Sequence, residues 1–225
     1  MIILNEHANP QLLAGVEGII FDCDGVLIDS KDANTFYYNS YKTHFGLAPM
    51  TPEEVNFVHA NHVWDSLHHI LPKELYEAAR QRKTGFDYRE VIPYIRMEEG
   101  LTGFLQWARG AGLPLGIATS RTDTLDMVLS HLGLTEYFSP AITSLKVRSP
   151  KPHPESLWSV LDNWRMTPDQ VVFIGDSSVD EGCALNTGVR FWSFKNPNLT
   201  TAQLLIPDFL TLRNSMGRAH RLGIL

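Results

Sequence analysis

Val171-Val172-Phe173-Ile174-Gly175 carries no polar side chain and stops at Asp176. A strand of that kind has no face to give to water, so it belongs in a sheet covered on both sides. The stretches Val16 to Asp22, Leu113 to Ala118 and Val189 to Phe194 read the same way, and Tyr137 to Ile142 suggests a further short strand. Between them, apolar residues recur at helical spacing: Leu101, Phe104, Leu105 and Ala108, then Leu125, Val128, Leu129 and Leu132, then Leu157, Val160, Leu161 and Trp164. Strands alternating with helices predict an α/β fold, a doubly wound parallel sheet with right-handed crossovers. The 225 residues are 44% hydrophobic, enough to fill such a core and leave room for an insertion.

The insertion follows the first strand. Residues 31–96 hold no strand-like run. Phe36, Tyr37, Tyr41 and Phe45 keep a helical period, and Thr51-Pro52-Glu53-Glu54 is a helix start with a capping threonine, proline in the first turn and two acids. Trp64, Leu67, His68 and Leu71 continue the pattern, and Pro72 opens another helix through Ala79. This places residues 1–30 and 97–225 in the α/β domain and 31–96 in an all-helical one. The tyrosines read as core of the insert. His59, His62, His68 and His69 read as solvated or packed residues, since nothing nearby completes a metal-ligand set at convincing spacing. Met1 to Gly15 reads as a short lead-in with no strand, Val189 to Phe194 as the last strand, and the mildly basic tail Arg213 to Arg221 as a solvated terminus.

The chemistry gathers where strands end. Asp22 and Asp24 stand at i and i+2, the spacing that puts two side chains on one face of a strand, with Gly25 next. Two neighbouring carboxylates repel and call for a cation or a proton between them. Thr119 and Ser120 follow a second strand, and Asp176 and Asp180 a third. Lys151 sits in the stiff run Ser149-Pro150-Lys151-Pro152-His153-Pro154. In an open parallel sheet these ends share one edge, where ligands bind. Four acids, two hydroxyls and a lysine there suggest Mg²⁺ and a phosphate. Ser177 and Ser178 read as the start of a helix, Ser30 as a possible cap, and Arg121 as a residue for substrate or packing.

Four motifs in order, Phe21-Asp22-Cys23-Asp24-Gly25-Val26, Ile117-Ala118-Thr119-Ser120, Lys151-Pro152-His153-Pro154 and Ile174 through Asp180, resemble those of the haloacid dehalogenase-like superfamily. The insert resembles the cap of its phosphoglycolate-phosphatase-like and β-phosphoglucomutase-like branch. The resemblance implies a Rossmann-like core with a helical cap closing over the site. It implies Asp22 as the nucleophile that forms an aspartyl-phosphate and Asp24 as general acid, then base. Thr119, helped by the Ser120 amide, would bind the phosphoryl oxygens, and Lys151 would neutralise nucleophile and phosphate. Mg²⁺ would sit on Asp22, the Asp24 carbonyl and Asp176, with Asp180 reaching it through water or orienting its ligands. The implied activity is Mg²⁺-dependent hydrolysis of a small phosphorylated metabolite. The dehalogenase branch lacks an acid at the position of Asp24. The sugar-phosphate mutases carry a histidine near the start of the cap, and Asp32 to Phe36 has none, which favours hydrolysis. A phospho-acceptor signalling domain has no helical insert, and a silent binding protein has no use for all four motifs.

The net charge of −6 argues against a nucleic-acid partner and a basic membrane surface. No run is long enough to span a bilayer, and the first residues lack the basic and apolar parts of a signal peptide. Two cysteines, Cys23 and Cys183, read as reduced packed thiols of a cytoplasmic protein. The chain is expected to be a monomer or homodimer.

Overall fold

The computed structural model describes residues 1–60 and 63–225, so His62 lies outside the described residues. In chain order the elements are β1 (Ile2–Ile3), β2 (Gly18–Phe21), β3 (Ile28–Asp29), α1 (Lys31–His44), α2 (Pro52–Ala60), α3 (Val63–Ile70) and α4 (Tyr76–Gly85). There follow β4 (Arg96–Met97), α5 (Leu101–Gly110), β5 (Leu115–Ala118), α6 (Leu125–His131), β6 (Ala141–Ile142), α7 (Glu155–Trp164), β7 (Val171–Gly175), α8 (Ser178–Thr187), β8 (Arg190–Phe194), β9 (Leu204–Ile206) and α9 (Phe209–Arg221). The chain divides into two compact units, Met1–Ile28 with Met97–Leu225, and Asp29–Arg96. Strands β3 and β4, at the two crossings between the units, pair with each other.

In the larger unit seven strands form one sheet in the order β1-β9-β8-β7-β2-β5-β6, every neighbour parallel. The chain fills it outward from β2 through β5 to β6, then crosses over to β7 and proceeds the other way. The reversal falls beside β2, at the switch point where parallel sheets open a crevice. Burial explains the apolar runs. Ile20, Ala118, Val171 and Phe173 pack with Leu157, Val160, Cys183 and Ala184 on one side of the sheet. Phe21 meets Phe104, Phe138 and Phe209, and Phe194 meets Phe209, ring to ring at 5.0–6.2 Å. Adjacent residues of β2 therefore feed different clusters, as the two-residue strand period requires.

Three expectations are corrected. The tail is no solvated terminus: α9 buries Phe209, Leu212, Ser215, Met216 and Ala219 and is capped by Asp208, which accepts from Thr211 N at 2.6 Å. Apolar residues at 209, 212, 216 and 219 are the amphipathic stripe that its basic outer positions obscured. The lead-in supplies an edge strand, with Ile2 beside Leu204, and β9 adds a strand beyond Phe194. Both are two or three residues long, too short for periodicity to register. Finally, β2 ends at Phe21, so Asp22 and Asp24 lie past the strand, and Asp24 takes its place from the turn, not from the pleat.

The smaller unit is helical. Tyr38 and Tyr41 are buried with Val58, Leu67, Ile70, Leu71 and Ala79, so the tyrosines are core there. Glu54 caps α2 reciprocally with Thr51 and receives both bonds of the buried Lys42 ammonium at 2.9 Å. His69 stacks on Phe57, His68 lies tilted against Tyr76, and His59 faces Asn34. Among the described residues no histidine joins a metal-ligating cluster.

Candidate active site

The parallel register brings the ends of β2, β5 and β7 together. Phe21 lies beside Ile117 on one side and Ile174 on the other, so Asp22, Thr119 and Asp176 leave the same edge. The Asp22 amide extends the ladder by donating to Ile174 O at 2.9 Å. Beyond it the chain turns sharply. Gly25 donates to Ile28 O at 2.8 Å and has φ of +75°. A Cβ there would collide with the Asp176 carboxylate, so the turn serves the cluster twice: glycine permits the dihedral and leaves space for the carboxylate.

Lys151 is the centre of the charge arrangement. Its side chain is 2% exposed, and Nζ donates to Asp22 Oδ1 at 2.9 Å and to Asp180 Oδ1 at 2.5 Å. The run that carries it is pinned by Glu155 at the start of α7, whose carboxylate accepts from the amides of Arg148 and Ser149 at 2.8 and 3.0 Å. Asp180, fully buried, closes a capping box on α8: Ser177 Oγ and N donate to its Oδ2, and its own amide donates to Ser177 Oγ. Ser177 is thus the cap of α8, and Asp180 orients Lys151. Thr119 is buried, with its amide on Ile142 O, whereas Ser120 is exposed. Asp24 stands apart from the acid cluster, paired with Arg121.

Ligand oxygens of Asp22, Asp176 and Asp180 lie within 4.8 Å of one another. One lysine against three carboxylates leaves the cluster short of positive charge. Burial raises Asp22 to about 6, with Asp180 and Asp24 adding to the rise and Lys151 opposing it. Burial likewise raises Asp176 to about 8, reinforced by Asp22 and Asp180. Burial alone would lower the Lys151 ammonium, but Asp180 and Asp22 overcome it and hold it above its ordinary value. An all-oxygen donor set with unmet negative charge fits a hard divalent cation such as Mg²⁺.

That charge deficit sets a pH dependence. With chelator present, the folded protein holds protons on Asp22 and Asp176 that an unfolded chain, with carboxylates near ~4, has released. Stability is then full below ~4 and is expected to fall as pH rises through about 6 and about 8. A divalent cation bound there would take the protons' place, so its stabilising effect would grow with pH. Thermal unfolding with chelator and with excess Mg²⁺, at about pH 5 and about pH 8, is expected to show the larger Mg²⁺-induced rise in Tm at the higher pH. An equal rise at both would contradict this account.

Sequence reasoning did not find two supporting residues. Asn196 Nδ2 donates to the Asp176 carbonyl at 2.7 Å, holding the loop after β7, and Glu155 holds the Lys151 run. Neither carries a signal beyond being polar near a strand or helix end. Arg121, read in the sequence as a residue for substrate or cap packing, pairs with Asp24.

An aspartate, a threonine, a bridging lysine and an acid cluster thus stand along one sheet edge, in that chain order. The family model of haloacid dehalogenase-like hydrolases matches residues 19–194, and the chain belongs to that family. It is 24% identical over 200 residues to pyrophosphatase PpaX of Bacillus velezensis, covering 87% of this chain and 91% of that one. It is 27% identical over 195 residues to phosphoglycolate phosphatase of Chromobacterium violaceum, covering 78% and 83%. Among solved structures, a subfamily IA hydrolase of the superfamily from Geobacter sulfurreducens is 32% identical, with a TM-score of 0.81 over 92% of this chain and 97% of that one. The β-phosphoglucomutase of Clostridium difficile shares the fold at 19% identity, with a TM-score of 0.71 over 93% and 99%. No helix among the described residues is long and apolar enough to cross a membrane.

Proposed function

We propose that the protein is a Mg²⁺-dependent phosphomonoester hydrolase acting on a small phosphorylated metabolite through an aspartyl-phosphate on Asp22. The observation that carries this is the Lys151 ammonium shared between Asp22 and Asp180 beside Asp176. An aspartate oxygen approaching a phosphate dianion meets like charge, and the lysine offsets it in a site too buried for water to do so. Asp22, Asp176 and the Asp24 carbonyl would hold Mg²⁺, which supplies further positive charge to the phosphoryl group.

In the first half-reaction an Asp22 oxygen bonds to phosphorus, the bond to the ester oxygen breaks, and Asp24 gives that oxygen a proton. In the second, water adds to phosphorus, Asp24 takes its proton, and Asp22 leaves as carboxylate with release of inorganic phosphate. Thr119 and the Ser120 amide bind the phosphoryl oxygens in this reading, and the helical insert selects the rest of the substrate. The names of the relatives put phosphoglycolate and pyrophosphate among the substrates to try first.

The expected result is phosphate release from at least one small phosphomonoester with Mg²⁺, falling to background after exhaustive chelation and returning with added Mg²⁺. Release that survives chelation would sink the metal assignment. Absence of release from phosphoglycolate, pyrophosphate, p-nitrophenyl phosphate and sugar phosphates alike would sink the hydrolase reading.

A further inference from the structure

Arg121 has no role in the scheme above, yet it is one of the most firmly held side chains at the site. Only 8% of its side chain is exposed, and Nε and Nη2 donate to the two different oxygens of Asp24, each at 2.7 Å. Nη1 donates to Thr124 Oγ1 at 3.2 Å. The backbone is fixed separately. Its amide donates to Thr119 Oγ1 at 3.2 Å, and its carbonyl accepts from Ser144 N at 2.9 Å and Ser144 Oγ at 3.0 Å. The backbone that carries the guanidinium is therefore anchored to Thr119, just past β5, and to Ser144 in the loop after β6. Asp24 has the opposite character: it lies in the turn beyond β2, and 37% of its side chain is exposed.

A partly exposed aspartate in a turn has more than one staggered rotamer open to it. A planar fork that contacts both oxygens selects one of them. Exposed ion pairs contribute little, but here the arginine side is buried and the contact is two-pronged, the case in which geometry is imposed. The same two bonds commit this face of the guanidinium to a protein carboxylate. Its charge thus reaches the reaction through Asp24 and not by direct contact with the phosphoryl oxygens.

We propose that Arg121 is the positioning residue for Asp24, holding its carboxylate aimed at the leaving oxygen and at the hydrolytic water. When one Asp24 oxygen engages either of them, that oxygen's bond to Arg121 opens and the other keeps the aim. The inference rests on the phosphatase reading and adds to it the part that sets its acid–base geometry.

The test is hydrolysis of p-nitrophenyl phosphate with Mg²⁺ by wild type, Arg121→Lys, Arg121→Met, Asp24→Asn and the Arg121→Met/Asp24→Asn double variant. Arg121→Met is expected to lower kcat about 10- to 100-fold with KM within about twofold, because a misaimed group costs rate and not binding. Lysine, a single-point donor, is expected to fall between wild type and methionine, and it serves as the test if the methionine variant does not fold. In the Asp24→Asn background, Arg121→Met is expected to cost less than about twofold more. A raised KM with unchanged kcat would make Arg121 a phosphate ligand and overturn the proposal. Losses that multiply in the double variant would overturn it too, by separating Arg121 from Asp24. Silence of the wild type toward every ester is a different failure: it removes the phosphatase reading, and this inference with it.

Discussion

Asp22→Asn is expected to lower kcat by roughly four orders of magnitude or more while leaving the folded protein as stable as wild type, or more so. Loss of a nucleophile removes the covalent route altogether, and such losses are among the largest single-residue effects in enzymes. The stability half of the statement comes from the charge balance. Asp22 is buried beside two other carboxylates, and burial already raises it to about 6. Asparagine removes one of the repelling charges and nearly preserves shape. Among the described residues the side-chain bond it weakens is the 2.9 Å one from Lys151, which keeps its bond to Asp180. Steady-state phosphate release and a thermal melt with chelator measure the two halves. A variant that retains turnover would remove Asp22 from the chemistry. A variant that loses turnover by unfolding would mean that the Lys151–Asp22 contact is structural first.

Lys151→Met is expected to fail in the opposite way, losing both activity and stability. Asp180 is fully buried, and the Lys151 ammonium at 2.5 Å is the cation that faces it. Taking one partner from a buried ion pair leaves an uncompensated charge and typically costs about 3–5 kcal/mol. The variant relieves part of this by taking up a proton on the acid cluster, so its stability should recover toward low pH. Denaturant titrations at about pH 5 and about pH 8 test this, with the deficit expected to be larger at the higher pH. Excess Mg²⁺ should restore some stability but not turnover, since the cation repays charge without replacing the lysine beside the nucleophile. A loss of activity with unchanged stability at both pH values would show that the cluster tolerates its own charge. The two substitutions together distinguish a residue kept for chemistry at the expense of stability from one that serves both.

Much of the fold was legible because its strands are buried on both faces. Val171 to Gly175 admits no amphipathic reading, and neither does Ile19 to Phe21. The parts that were missed have a common cause. The β1 and β9 strands are held by ladder bonds to neighbours far away in sequence, and so short a strand has no period to detect. In α9 the apolar stripe was masked by Arg213, Arg218 and Arg221, which share the helix with it. The candidate site residues stood out for a chemical reason: acids, a lysine and hydroxyls at strand ends contrast with apolar runs. Their partners did not. Nothing in the spacing of Asp24 and Arg121, or of Asp180 and Lys151, says that they touch.

The sequence by itself determined the parallel α/β class, the helical insert after the first strand, and the residues that carry charge at the strand ends. These are local properties, set by side-chain character over a few residues. Which carboxylate takes the lysine, which takes the arginine, and which are left to a cation was decided only by tertiary structure. Those pairings join residues 29 to 129 positions apart in the chain. They depend on strand register and loop anchors to within an ångström or two, and no local pattern encodes a distance of that kind.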